Sequence, residues 1–332
     1  MKRRRDLRGI DVVSVDPPGC KDIDDALHCI RLENGNIQAG VHIADVTYFV
    51  RPDTAIDKEA AHRCTTVYLV NRRTDMLPKL LTENLCSLRS NVDRLAFSVI
   101  WEFCPDGQTL LKTDFTKSII CSRQAFTYEQ AQNLISSPSD SSNKIQSSLV
   151  LLNFMAKILK SKRIAAGALS LASTQLKFTL DTETHNPTDV SIYSLFETNS
   201  MVEEFMLLAN CSVAEKISSF FPSNSILRHH SPPKPKHIKQ LSKLMDQLGY
   251  QLDYSTSKTL ADSLDRIQRV DSPFFNTLIR VLTTRCMNEA HYFCTADVDY
   301  SNFFHYGLAV PLYTHFTSPI RRYADVLVHR YV

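Results

Sequence analysis

Ile10-Asp11-Val12-Val13-Ser14-Val15-Asp16-Pro17-Pro18-Gly19-Cys20-Lys21-Asp22-Ile23-Asp24-Asp25 joins an alternating apolar run to a proline-locked loop that carries four carboxylates. The alternation from Ile10 to Val15 predicts a strand, and Pro17, Pro18 and Gly19 force the chain out of it. Strand character continues downstream. Ala26 to Leu32 and Ile37 to Val46 flank Glu33-Asn34-Gly35-Asn36, where Asn-Gly supplies the positive φ angles of a tight hairpin. A short helix is expected over Thr54 to Arg63. Leu95 to Cys104 and Leu110 to Cys121 form a second hairpin around Pro105-Asp106-Gly107.

Beyond residue 126 the pattern changes. Thr127 to Ile135 reads as a helix and Ser136 to Ser148 as an exposed, serine-rich loop. Leu149, Leu152, Ala156, Leu159 and Arg163 recur at helical spacing and predict a long helix that stops near Gly167. A strand is expected at Gln175 to Leu180. Helices follow over 199–220, 236–249, 257–268 and 275–293, interrupted by Ser231-Pro232-Pro233-Lys234-Pro235. Ser318-Pro319-Ile320-Arg321-Arg322-Tyr323-Ala324-Asp325 opens a last helix, with Ser318 as its cap and Pro319 at its first position. A β-rich stretch (10–125) before a helix-rich one (126–332) predicts an α+β fold, a mixed and largely antiparallel sheet surrounded by helices. The chain stops at Tyr331-Val332 inside that helix and reads as a piece cut from a longer protein.

Composition narrows the class. Hydrophobic residues make up 43% and charged residues 22%, the balance of a globular protein. No apolar run reaches bilayer length, and no membrane partner is expected. Nine cysteines stand singly with no C-x-x-C pair, which argues for reduced thiols inside a cell over a disulfide scaffold or a zinc site. The net charge is only +3, so any nucleic-acid binding needs a local basic channel. Met1-Lys2-Arg3-Arg4-Arg5-Asp6 has no apolar stretch behind it and is no signal peptide; its basic residues read as a solvated edge.

The carboxylates decide the chemistry. Asp16, Asp22, Asp24 and Asp25 lie within ten positions, and crowded acids raise one another's pKa values. A divalent cation removes that conflict, and hard oxygen donors favour Mg²⁺ or Mn²⁺. Two such ions can activate water and stabilise the departing oxygen of a phosphodiester. An exposed acidic turn would explain two aspartates; four, held by Pro-Pro-Gly behind an apolar strand, argue against it. An EF-hand loop fails, because Ala26 and its successors lack the required glycine and glutamate. An aspartate-nucleophile phosphatase would want an apolar strand directly before Asp22, where Gly19, Cys20 and Lys21 stand instead.

Asp16 to Asp25 resembles the acidic signature of the RNB domain of the RNase II/RNase R superfamily. So do Gly40-Val41-His42-Ile43-Ala44-Asp45-Val46, Asn84-Leu85-Cys86-Ser87-Leu88, Met201-Val202-Glu203-Glu204-Phe205-Met206-Leu207-Leu208-Ala209-Asn210 and Tyr313 to Asp325. Asp22 to His28 and Thr284-Arg285-Cys286-Met287 are most similar to the eukaryotic exosome-associated members. The resemblance covers nearly the whole chain, as one catalytic domain over 1–332, without the cold-shock and S1 barrels that usually flank it. It implies processive hydrolysis of single-stranded RNA from the 3′ end to nucleoside 5′-monophosphates in a channel ending at the aspartates. By the same resemblance Asp16, Asp22, Asp24 and Asp25 hold Mg²⁺, as one or two ions replaceable by Mn²⁺. Tyr68 stacks near the 3′-terminal bases, Tyr128 and Glu203 contact RNA, and the neighbouring Glu204 competes with Glu203 for its role. An intracellular place in nucleus, cytoplasm or both follows, with the exosome core as a partner through regions outside this chain.

Arg321 has its own argument. At the first turn of a Ser318-capped helix, a guanidinium and free N–H groups favour an anion such as the scissile phosphate, with Arg322 in support. The competing reading is a surface salt bridge from Arg321 to Asp325. One departure from the family pattern bears on function. Gly167-Ala168-Leu169-Ser170-Leu171 lacks the aromatic that bacterial relatives place there to clamp bases. Two other classes stay open: a non-catalytic RNA-binding relative, which should lack part of the acidic quartet, and a metal-dependent phosphatase, which has no use for Tyr68.

Overall fold

The computed structural model describes residues 4–69, 72–138, 142–171, 195–269, 271–272 and 274–332, with the backbone alone over 176–180 and 187–192. The β-rich part holds β1 (Arg5–Asp6), β2 (Val12–Asp16), β3 (Asp25–Arg31), β4 (Ile37–Ala44), helix α1 (Ala55–Arg63), β5 (Val67–Tyr68) and β6 (Arg73–Thr74). It ends with a long hairpin of β7 (Asp93–Phe103) and β8 (Leu110–Thr127). Both expected hairpins are present. The Asn34-Gly35 turn joins β3 to β4, with Gly35 at φ +84°, and Pro105-Asp106-Gly107 joins β7 to β8, with Gly107 at φ +72°.

The sheet closes on itself. β2 pairs with β3, β3 with β4, β4 with β7 and β7 with β8, all antiparallel, and the far end of β8 runs parallel to β2. This ring of five strands divides the side chains in two. Leu27, Val41, Val99 and Trp101 point outward into the main core, where the Trp101 ring packs near Phe205 and its Nε1–H donates to Ser212 Oγ at 3.0 Å. Such an anchor makes large-to-small replacement cost about 3–5 kcal/mol. The opposite face carries small residues, Ala26, Gly40, Ala44, Ala96 and Ser98, as the cramped inside of a narrow barrel demands.

Helices α2 (Tyr128–Ser136), α3 (Lys144–Ala165) and α4 (Glu197–Phe220) cover the outside. Thr127 and Gln130 form the capping box of α2. The loop between α2 and α3 is shorter than the serine composition predicts, because Asn143 caps α3 through the Gln146 N–H. Strand β9 (Leu176–Leu180) pairs with β10 (Pro187–Ile192); Gln175 lies outside the described residues.

Next come β11 (Ile226–His230), α5 (Pro235–Gln247), α6 (Ser257–Arg266), α7 (Phe275–Cys286), β12 (Ala290–Cys294) and α8 (Tyr323–Tyr331). Two expectations fail here. The helix expected over 275–293 ends at Cys286, and Ala290–Cys294 is a strand that pairs with the unforeseen β11. Apolar spacing alone does not distinguish the two over so short a run, and pairing with β11 decides it. Nor does Ser318 cap a helix. Ser318 to Arg321 forms a turn and α8 starts only at Tyr323, because the Ser318 N–H donates to Asp325 Oδ1 at 2.7 Å. All nine cysteines are free. Among the described residues no helix is long and apolar enough to cross a membrane.

Candidate active site

The acidic loop leaves the barrel at the end of β2. The Cys20 N–H donates to the Pro17 carbonyl at 3.2 Å, with Pro18 second and Gly19 third at φ +79°, the residue pattern of a type II turn. Downstream, Ser87 holds the loop from both sides. Its Oγ–H donates to the Lys21 carbonyl at 2.7 Å and accepts from the Ile23 N–H at 3.1 Å. The Leu88 N–H donates to the Ile23 carbonyl, and the Ala44 N–H to the Asp24 carbonyl at 2.9 Å. Ser87 and Leu88 follow a π-helical turn at Leu80–Leu85 that no sequence signal announces.

Each carboxylate has its own surroundings. Asp16 ends β2 half-buried, and its Oδ2 is buried with no hydrogen-bond partner. Asp22 accepts from Arg73 Nη1 at 2.7 Å. Asp24 is 5% exposed; its Oδ1 accepts the Ile320 N–H at 3.0 Å and its Oδ2 lies 3.3 Å from Arg321 Nε. Asp25 opens β3. Burial, with the Asp22 charge adding to it, pushes the Asp16 carboxyl up to about 6. Burial pushes Asp24 up to about 7 against the pull of Arg321. Burial, then the charges of Asp16 and Asp24, hold Asp25 well above the usual carboxylate range. These acids are crowded and under-neutralised.

Tyr68 and Arg321 share the rim of this cluster. Thr66, two residues before Tyr68, donates its N–H to the Arg321 carbonyl at 3.0 Å, and Thr65 Oγ1 donates to the same oxygen at 2.9 Å. Tyr68 is 57% exposed, so it is not a core tyrosine; partial burial of its hydroxyl, and then the charges of Asp22 and Asp24, raise its phenol. Arg321 pairs with Asp24 and not with Asp325. The partner of Asp325 is Arg322, at 2.7 Å, which makes Arg322 a largely buried structural cation. The expected anion site on a capped helix is therefore absent at Ser318: the Ile320 N–H serves Asp24.

Two expected residues stand apart. Glu203 is exposed, 3.9 Å from Arg163, at a cleft of about 590 Å³ between α3 and α4 that is also lined by Lys157, Lys160, Leu169 and Leu171. Glu204 is buried and bound by the Arg163 guanidinium, which gives it a structural part. Tyr128 packs at the margin of the main core; the residue before it, Thr127, pairs in register with Asp16. Sequence reasoning missed Arg73 and gave Ser87 only as part of a family segment, without its hold on the loop; the contact of Thr66 with Arg321 is likewise made by the fold alone.

The donor set suits a hard divalent cation: oxygens only, crowded and shielded from solvent in part or in full, with one Asp16 oxygen lacking a hydrogen-bond partner among the described residues. Its side chains do not yet surround one point. Among the described residues no three His, Cys, Asp or Glu groups converge on a metal position, since Asp22 is turned to Arg73 and Asp24 to Arg321.

Comparison with known proteins follows the same lines. The chain is 56% identical over 330 residues to the exosome complex exonuclease RRP44 of Mus musculus, covering 99% of this chain and 34% of that protein. It thus spans about a third of the length of this curated relative. The fold matches that of Mycoplasma genitalium RNase R in complex with ribose methylated single-stranded RNA, with a TM-score of 0.87 and 26% identity over 100% of this chain and 51% of that one. It also matches yeast Ssd1, a pseudonuclease, with a TM-score of 0.82 and 24% identity over 99% of this chain and 40% of that one, a likeness of fold alone. A model of the RNB domain matches residues 4–332, and the chain belongs to the RNB-domain family.

Proposed function

We propose that this chain is a hydrolytic 3′–5′ exoribonuclease domain that degrades single-stranded RNA processively to nucleoside 5′-monophosphates. The observation that carries this reading is the placing of the buried Asp24 against Arg321, in one cluster with the partly buried Asp16, Asp22 and Asp25, with an exposed Tyr68 on the same rim. The RNA-bound RNase R of the same fold and the exonuclease name of the mouse relative support it.

Asp16, Asp22, Asp24 and Asp25 are the residues to hold Mg²⁺, as one or two ions, or Mn²⁺ in its place. Bound there, the cation supplies an activated water and charge neutralisation for the leaving oxygen. Gathering the four carboxylates requires Asp22 to leave Arg73 and Asp24 to leave Arg321. Arg321, once released, is free to grip the scissile phosphate with two parallel N–H bonds and to stabilise the charge that builds on it. Water attacks phosphorus, the P–O3′ bond breaks, and the last nucleotide leaves as a 5′-monophosphate. Tyr68 offers a face on which a 3′-terminal base stacks, whatever its identity. A channel for one strand leads to these residues, with Tyr128 and Glu203 along it. The exosome core is the proposed partner, inside the cell.

A non-catalytic RNA-binding reading has one observation in its favour, the failure of three carboxylates to converge as they stand. The complete acidic quartet speaks against it. A time course with single-stranded RNA labelled at the 3′ or the 5′ end, in Mg²⁺, separates the two. Mononucleotide released from the 3′ end by the natural chain and not by Asp24→Asn is expected. Equal activity in both chains, or internal cuts, would overturn the assignment.

A further inference from the structure

β11 and β12 bring together a second set of side chains beside Arg321 and Arg322. Arg228 and Tyr292 are directly paired across this ribbon, and the Arg228 guanidinium lies 4.7 Å from the centroid of the Tyr292 ring. The Tyr292 hydroxyl lies 2.5 Å from His315 Nδ1, and the His315 ring stands edge-on to Tyr313 at 5.4 Å. Tyr313 is fixed in turn by the Asn210 amide, which donates to its hydroxyl at 3.1 Å. His315 precedes Thr317, whose Oγ1 accepts from Arg322 Nη2 at 3.4 Å. The cluster is therefore continuous with the turn that carries Arg321.

Its charges do not balance. Asp24 faces Arg321 and Asp325 faces Arg322, but among the described residues no carboxylate lies within ion-pair distance of Arg228. Burial and the neighbouring arginines push His315 down to about 2, so its imidazole is neutral and its Nδ1 shares a hydrogen bond with the Tyr292 hydroxyl. Tyr292 can then accept from Arg228, which leaves most of the five guanidinium N–H donors unused. Tyr292 itself is 41% exposed. A surplus guanidinium, held over a tyrosine that is locked from behind, is preorganised for an anion and costs little entropy to engage.

We propose that Arg228, positioned by Tyr292 and His315, binds a backbone phosphate of the RNA strand upstream of the bond that Arg321 serves. The inference rests on the exoribonuclease reading and extends its substrate path to β11 and β12. An acidic protein segment is the competing anion. A phosphate at this position favours RNA because the cluster adjoins Arg321, where a strand held at its 3′ end must pass.

Binding of a 5′-fluorescent oligouridylate, followed by anisotropy across a salt series in EDTA to stop hydrolysis, tests this. Arg228→Gln should weaken binding roughly tenfold and make the slope of log affinity against log salt shallower by about one. Arg228→Lys should restore the slope but only part of the affinity, because the planar, forked guanidinium over the ring is lost. Tyr292→Phe keeps the ring, loses the His315 bond, and should fall between. In Mg²⁺, KM should rise in Arg228→Gln while kcat holds. Unchanged affinity and slope in Arg228→Gln overturn the proposal, as does loss of affinity with an unchanged slope. An anisotropy change with an acidic peptide that RNA cannot displace would assign the site to a protein and sink it too. Should the natural chain neither bind nor degrade RNA, the exoribonuclease reading itself is what fails.

Discussion

The inside of the barrel and its acidic end both bury polar groups, and they treat them in opposite ways. Inside, the histidines form a closed chain. His28 Nδ1 meets His42 Nε2 at 2.8 Å, His42 Nδ1 meets Ser98 Oγ at 2.7 Å, and Ser98 Oγ meets Ser118 Oγ at 2.6 Å. Ser118 donates on to the Ala96 carbonyl at 3.3 Å. Every link is neutral and partnered, so the network fixes the register of β3, β4, β7 and β8. At the acidic end, Asp16 keeps an oxygen without a partner, and Asp24 is held up near 7 in spite of Arg321. Buried polar groups that are satisfied hold a fold together; crowded carboxyls whose ionisation is held back are prepared for something else.

The largest expected effect attacks the acidic end. Asp24→Asn should lower RNA hydrolysis by about a hundredfold to a thousandfold, as loss of several kcal/mol of transition-state stabilisation implies. The folded state should survive, because an amide at this place no longer buries charge. Far-UV circular dichroism beside the RNA assay checks both halves; a chain that unfolds would erase the contrast between the two regions.

The reverse substitution lies in the interior. A Cβ on Gly40 would overlap the His28 ring, against which β4 packs without room for a methyl group. Gly40→Ala should therefore cost about 2–3 kcal/mol, read as a lower Tm, while the activity of the molecules still folded stays near that of the natural chain. Full activity loss at unchanged Tm would show that the interior takes part in chemistry.

The smallest effect is a difference in pH response. Burial lowers His28 from 6.5 to about 4, and burial with the His28 charge lowers His42 further. Stability from this pair is present above pH 6.5 and is lost as pH falls toward the folded values. Asp24 runs the other way. Its raised pKa contributes stability below 3.8 that is lost as pH rises through about 7. Denaturant titrations from acid to neutral pH should show Asp24→Asn gaining on the natural chain as pH rises. His28→Gln should show a shallower loss below pH 6.5. Parallel curves for all three chains would remove the electrostatic distinction between the two regions.

The strands of the main sheet and both its hairpins were legible because their determinants are local. Period-two alternation, Asn34-Gly35 and Pro105-Asp106-Gly107 act within a few residues, and so does the Thr127 capping box. The four aspartates were legible as a group because one short loop carries them all. Two features were illegible because their determinants are distant. β12 reads as the end of α7 until β11 is beside it, and Ser318 reads as a cap until Asp325 takes its N–H. The glutamate pair Glu203 and Glu204 could not be ordered from sequence, since their difference lies in which one Arg163 buries.

By itself the sequence determined most of the helices and of the strands before residue 126, both hairpins, the acidic loop and the family signature, all set by steric and hydrophobic patterns between near neighbours. Only the tertiary structure decided which carboxylate meets which arginine, that Tyr68 stands in solvent beside Arg321, and that Arg228 has no carboxylate partner among the described residues. Those outcomes depend on burial and on partners up to three hundred positions away, such as Ile320 on Asp24 at a separation of 296. Electrostatics over a few ångströms is fixed by where the chain folds back, and no local pattern carries that.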